Sequence, residues 1–210
     1  MSRRTFGWIL IGLGIAVMGL GVGMVLRNLS VEQESGEKAQ AAMEQLLTQM
    51  EQQAVLPEDS QPELFPTPVF PEAENDQAMP EIELDGRGYV GYLELPTLEL
   101  TLPVLSVSSD ENLEIAPCRY FGTAYQKNFV IGGHRYRRHF RNLYTLGYGD
   151  TVIFTDITGK QFVYQVAELE ELEPYDSEYL CTGDWDLTLF TCTPGGTARV
   201  AVRCLKEDKR

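Results

Sequence analysis

Histidine is nearly missing from this chain of 210 residues, with two in all, and no two cysteines fall at the C-x-x-C spacing. That scarcity argues against a structural zinc site, which gathers four sulfur or imidazole ligands. Cysteines number four, too few for a disulfide scaffold at this length. Bases are short as well: 17 Lys and Arg stand against 31 Asp and Glu, for a net charge of −14. Nucleic acid is therefore not an expected partner, because phosphate contacts need clustered cations. Gly and Pro, at 19 and 11, are too few for a collagen-like or wholly disordered chain. What is present, 43% hydrophobic and 23% charged residues, is enough for one packed domain with appendages.

The charge divides the chain into three regions. Residues 1–27 carry three Arg and no acid, residues 28–85 carry 14 acids and one Lys, and residues 86–210 carry 17 acids and 13 bases. In the first region, Phe6 to Leu26 are 21 uncharged and mostly apolar residues. As a helix they would extend roughly 30 Å, the thickness of a bilayer core. Arg3 and Arg4 precede the run, so the positive-inside rule keeps the N-terminus in the cytoplasm and puts everything after residue 27 outside. A cleaved signal peptide is the alternative. It calls for a shorter apolar core of about 7–15 residues and a small-x-small site. Here the run ends in Val25-Leu26-Arg27-Asn28, and an uncleaved anchor is expected. Gly19-x-x-x-Gly23 reads as a smooth helix surface rather than a pairing face.

The second region reads as an acidic stalk and linker. Residues 31–54 are good helix formers apart from Gly36. Met43, Leu46, Leu47 and Met50 form a weak apolar stripe, but a solvated stalk helix is the expectation. Six Pro and many acids between 57 and 80 predict an extended linker.

From residue 86 the pattern is mainly β. Short runs at Val90–Leu95, Leu98–Leu105, Asn128–Ile131, Thr151–Phe154, Gln161–Val166, Leu187–Thr191 and Arg199–Cys204 read as strands. Asp156–Lys160 reads as a hairpin turn, and short helices are expected near Asp110–Ile115 and Phe140–Leu146. The pattern alone leaves barrel and sandwich both open.

Two strand ends carry the chemistry. One is Val130-Ile131-Gly132-Gly133-His134; the other is Thr188-Leu189-Phe190-Thr191-Cys192, with Arg199 seven residues on. A strand end is a rigid platform, and glycine beside it permits close approach of a backbone or a substrate. Together with Gly91-Tyr92-Leu93-Glu94-Leu95-Pro96, Leu102-Pro103-Val104, Gly149-Asp150 and the N-terminal anchor, these motifs resemble sortases. Sortases are membrane-anchored cysteine transpeptidases of mainly Gram-positive bacteria. The resemblance spans about residues 86–206 and implies a closed eight-stranded β-barrel with short helices.

The resemblance implies Cys192 as nucleophile, His134 as general acid and base, and Arg199 as the donor to substrate or oxyanion. It also sets Thr191 and Leu189 beside the substrate. Arg203 is the rival to Arg199; the two share a strand face about 13 Å apart, so both cannot reach one carbonyl. Arg199 is preferred because it lies nearer the turn after Cys192. The implied reaction cuts a C-terminal sorting signal of the Leu-Pro-x-Thr-Gly type through a thioester. It then joins the surface protein to an amine on a cell-wall precursor or a pilin subunit. No metal and no cofactor are called for, though the acids between Glu168 and Asp186 leave Ca²⁺ binding open. The implied location is the bacterial plasma membrane, crossed once by residues 6–26, with the catalytic domain extracellular.

Two other readings stay open. One is a membrane-anchored cysteine peptidase with water as acceptor, and the other a non-catalytic wall-binding protein. His139 is expected on the surface in a basic patch near the acceptor. Cys118, Cys181 and Cys204 are left without an assigned pairing.

Overall fold

The structure is a computed structural model that describes residues 3–55, 79–174 and 176–207. Most of the Pro-rich linker read over 57–80 lies outside the described residues. One long helix, α1 (Arg3–Val55), precedes nine strands. In chain order these are β1 (Ile82–Leu84), β2 (Arg87–Leu95), β3 (Leu100–Leu105), β4 (Cys118–Phe121), β5 (Phe129–Gly132), β6 (Thr151–Asp156), β7 (Gln161–Leu172), β8 (Leu187–Cys192) and β9 (Arg199–Lys206). Two four-residue helices, α2 (Asp110–Leu113) and α3 (Ser177–Leu180), lie in the connections. Ser109 caps α2 by accepting from the backbone N–H of Asn112, and Asp110 and Glu111 suit its positive end.

The sheet runs β1-β2-β3-β4-β5-β8-β9-β7-β6 and closes because β6 also pairs with β2. Eight strands, β2 to β9, thus form a closed barrel, and β1 extends it as a hairpin arm on β2. Two neighbouring pairs, β3 with β4 and β5 with β8, are parallel; the others are antiparallel. A sandwich is therefore excluded. At the closure β2 bulges at Gly91, whose φ is +147°. A Cβ there would lie 2.0 Å from the carbonyl oxygen of Thr155, so only glycine lets β6 come this close. The β6–β7 turn is tied by Asp156, whose carboxylate accepts from the N–H and hydroxyl of Thr158 and from the N–H of Lys160.

The barrel interior is filled by Leu93, Leu95, Val104, Phe129, Ile131, Phe154, Leu187, Leu189 and Val202, none of them exposed. Strands β1 and β4 lie where no strand was read from sequence. Met79, Ile82 and Leu84 are buried, so the packed unit starts ahead of residue 86. Its first residues are acidic on the outside and apolar on the inside, which composition alone reads as linker.

α1 corrects the expectation of a solvated stalk. Its apolar N-terminal stretch makes it the one helix among the described residues long and apolar enough to cross a membrane. Farther along, Ala39, Ala42 and Leu46 are buried in the barrel core cluster, and Met43 is buried with them. The small alanines let the helix approach the sheet, and burial of the stripe supplies the driving force. Within the stripe, Met43 and Leu46 are covered by the chain's own barrel, Met50 packs against it, and Leu47 stays exposed.

Candidate active site

Strand register assembles the site. β5 and β8 are parallel, with Gly132 opposite Phe190. Cys192 ends β8 two residues on, and His134 follows the end of β5 by two residues, past the last paired position. β8 and β9 are antiparallel, with Arg199 directly opposite Cys192. Cys192 is therefore the middle of three neighbours, on strands spaced about 4.8 Å apart. Arg203 pairs instead with Thr188, at the other end of the ladder.

The two arginines differ in surroundings. Arg203 is fully buried. It donates to Thr188 Oγ1 at 3.0 Å and to the carbonyls of Leu180 and Tyr179 at 3.1 Å each, and it pairs with Glu170 at 3.4 Å. It pins α3 to the barrel. Arg199 lies over the Phe190 ring, 5.4 Å from its centroid, and one terminal guanidinium nitrogen is buried with no partner. An unspent donor beside Cys192 is what an oxyanion or a substrate carbonyl would take up.

Side chains alternate along β8. Leu187, Leu189 and Thr191 turn inward and are buried, at 0%, 0% and 3% exposure. Thr188, Phe190 and Cys192 occupy the other face. The expectation that Thr191 and Leu189 touch substrate is corrected on this ground: Leu189 is core, and Thr191 keeps its hydroxyl buried and unpartnered. The outer face carries a second apolar cluster of Val130, Leu180 and Ala201, against which Leu172, Cys181 and Phe190 pack. Tyr120 meets Phe190 edge-on at 5.2 Å. These residues were missed in the sequence reading. The period-two alternation of Leu187, Leu189 and Thr191 against Phe190 and Cys192 carried the signal.

Gly132 and Gly133 serve aromatic packing. A Cβ on Gly132 would lie 2.6 Å from Phe190, and one on Gly133 2.7 Å from Phe140. The Gly133 N–H donates to the Phe190 carbonyl, and the Phe140 N–H to the His134 carbonyl, at 3.1 and 3.2 Å. His134 is thereby delivered past the strand end. Burial holds its imidazole below the usual pKa, opposed by the charges of Asp110 and Glu114, so the ring is neutral near pH 7 and ready to accept a proton.

His139 is not on the surface. It has no exposed area, and its pKa is pushed down to about 4, first by burial and then by His134. Arg137 and Arg138 are the exposed members of that segment. All four cysteines are free. Burial raises the thiols of Cys118 and Cys204 to about 12 and also raises Cys181. Cys192 is the exposed one.

The acids of the β7–β8 connection do not converge. Glu170 is taken by Arg203, Asp184 by Lys127, and Asp186 accepts from the Lys206 N–H. Among the described residues no three His, Cys, Asp or Glu side chains group as metal ligands. A Ca²⁺ ion does not fit this donor set, and no step is derived through one.

An exposed thiol opposite a guanidinium across one ladder, with an imidazole just past the end of the neighbouring strand, is an arrangement suited to thiol-based acyl transfer. Residues 93–207 match the family model for the Sortase domain, and the chain belongs to the sortase family, cysteine transpeptidases of the cell wall. Three solved structures are similar. Sortase C1 from Streptococcus suis is 28% identical over 58% of this chain and 74% of its own, with a TM-score of 0.51. A lid mutant of sortase A from Corynebacterium diphtheriae is 26% identical over 59% and 73%, with a TM-score of 0.53. Sortase C from Clostridium perfringens SM101 is 25% identical over 57% and 70%, with a TM-score of 0.51. No curated protein matches the sequence.

Proposed function

We propose that this protein is an active transpeptidase. It cuts a C-terminal sorting signal of the Leu-Pro-x-Thr-Gly type and joins the new carboxyl terminus to an amine on a cell-wall precursor or a pilin subunit. What supports the reading most is the ladder register around Cys192, with Arg199 opposite it on β9 and His134 following the end of the neighbouring β5.

His134 takes the proton of the Cys192 thiol, and the resulting thiolate attacks the scissile carbonyl carbon and forms a C–S bond. Arg199 donates hydrogen bonds to the oxygen as charge builds on it. The C–N bond breaks as protonated His134 gives its proton to the departing amine, leaving a thioester. The incoming amine attacks the thioester carbonyl and His134 takes its proton. The C–S bond then breaks, and the thiolate returns. The half-buried Phe190 ring, packed on Val130 and Ala201 and on the same strand face as Cys192, is a contact for the apolar part of the signal. Residues 6–26 anchor the chain, with Arg3 and Arg4 on the cytoplasmic side and the barrel outside.

The test is to incubate the full chain in detergent with a Leu-Pro-x-Thr-Gly peptide and a glycine-based amine, and to read products by mass spectrometry. The expected outcome is a ligated product that disappears in Cys192→Ala, with a loss of at least about 10³-fold. Hydrolysis with no ligation across a panel of amines would replace the transpeptidase by a peptidase. Turnover that survives in Cys192→Ala would overturn the mechanism.

A further inference from the structure

One turn of α1 reaches into the segment that carries His134. Ser35, 3% exposed, packs against His139, 104 residues away in sequence. The Ser35 hydroxyl donates to the carbonyl oxygen of Glu114 at 2.5 Å. A hydroxyl has one proton, so toward His139, 3.4 Å away, Ser35 Oγ can only accept. His139 is thus held with its proton on Nε2, while Nδ1 is buried without a partner. Burial, with His134 beside it, outweighs the backbone of Ile115 and Ser35 that would favour the charged form, and the ring stays neutral.

From His139 the packing runs to the reacting centre through rings. The His139 ring lies 5.5 Å from the Tyr136 ring, tilted by 50°. Tyr136 lies 5.0 Å from the His134 ring, tilted by 54°. His134 stands past the last ladder position of β5, so it has no sheet pairing of its own. Two further contacts hold α1 to this segment. Glu32 pairs with Arg141, and Arg138 lies over Gly36 in the space a Cβ would take. The charged groups around the cluster are Asp110 and Glu114 near α2, Glu32 on α1, and Arg138 and Arg141 on the segment itself.

We propose that Ser35 is a positioning residue for the reaction at Cys192: through His139 and Tyr136 it sets the place and tilt of the His134 imidazole, which makes α1 part of the active site as well as its tether. The inference rests on the acid–base role of His134 proposed above. It means that a barrel freed of α1 is not the complete enzyme.

The experiment uses the full chain in lipid nanodiscs with ¹³C-labelled histidine. The chain has two histidines, so His139→Phe assigns both signals. In Ser35→Ala, the expected result is a His134 titration midpoint moved up toward the ordinary imidazole value, because a released ring gains water. In the ligation assay, kcat falls about tenfold with KM unchanged, since ring misplacement acts on the chemical step. Ser35→Thr, which keeps the hydroxyl, restores both readouts. Leu46→Ala is the control: it loosens α1 at a buried position away from the rings and leaves the His134 midpoint in place. An unmoved midpoint in Ser35→Ala, or an equal shift in Leu46→Ala, would overturn the proposal. Should the unaltered chain show no ligation, the proposed function fails, and the NMR titration still decides the role of Ser35.

Discussion

Arg199 and Arg203 lie on one face of β9, four residues apart, and their substitution separates chemistry from stability. Arg203→Met keeps most of the aliphatic volume and removes the guanidinium. It leaves the carbonyls of Tyr179 and Leu180 and the hydroxyl of Thr188 without their donor, and it leaves Glu170 without its counter-charge. Breaking a buried pair by deleting one partner costs about 3–5 kcal/mol. At this size that corresponds to a fall in Tm of about 10 °C. α3, held to the barrel through Tyr179 and Leu180, is expected to open first, and its amides to exchange faster. Arg199→Met deletes a group whose one buried nitrogen already lacks a partner. Its stability change is expected within about 1 kcal/mol, while kcat falls about a hundredfold through loss of the oxyanion donor. The assays are thermal melts of the full chain in detergent, hydrogen exchange at α3, and ligation kinetics. A stable Arg203→Met, or an Arg199→Met that melts early yet turns over normally, would refute the division of labour.

The buried His139 gives stability an acid-side slope. Folded, it titrates at about 4 against an ordinary 6.5. Between those values the unfolded chain therefore holds more protons, and stability falls as pH drops from 6.5 to 4. The loss is about 3 kcal/mol at most, and it levels off below pH 4. His139→Phe removes this component, so the Tm difference between the two chains should narrow with falling pH; a difference that does not change with pH would refute the burial argument. Phe190→Ala should lower kcat/KM about tenfold, because it removes both the apolar ring on the Cys192 face of β8 and the support beneath Arg199. Steady-state kinetics with a saturable peptide checks this, and unchanged kinetics would exclude Phe190 from contact with the signal.

The candidate site residues stand out in the sequence because their signals are local. Cys192 ends a run of strand formers, His134 follows a glycine pair, and Arg199 opens the next strand across a Pro194-Gly195-Gly196 turn. Hairpin geometry then fixes which residues face each other. The assignment of Thr191 and Leu189 failed on a period-two question. The resemblance set them beside the substrate, whereas on β8 their side chains turn inward, on the face opposite to Cys192. β4 was missed because its four residues, Cys118 to Phe121, are held between a parallel partner and an antiparallel one, and no hairpin turn announces a parallel contact.

The packed half of α1 was illegible for a different reason. Ala39, Ala42 and Met43 are unremarkable in a helix rich in Glu and Gln, and only the barrel surface turns them into a core. His139 shows the same limit more sharply. Its neighbours in sequence are three arginines and Tyr136, which together read as a solvated patch. What buries it is Ser35, brought in by a helix whose own sequence gives no sign of a partner. A buried histidine amid arginines is costly unless its polar edge is satisfied and its charge suppressed. The Ser35 hydroxyl meets one ring nitrogen, and burial together with His134 suppresses the charge. The docking of α1 is therefore one of the contacts that order the segment between His134 and Arg141, beside its own turns and the burial of Phe140 in the barrel core.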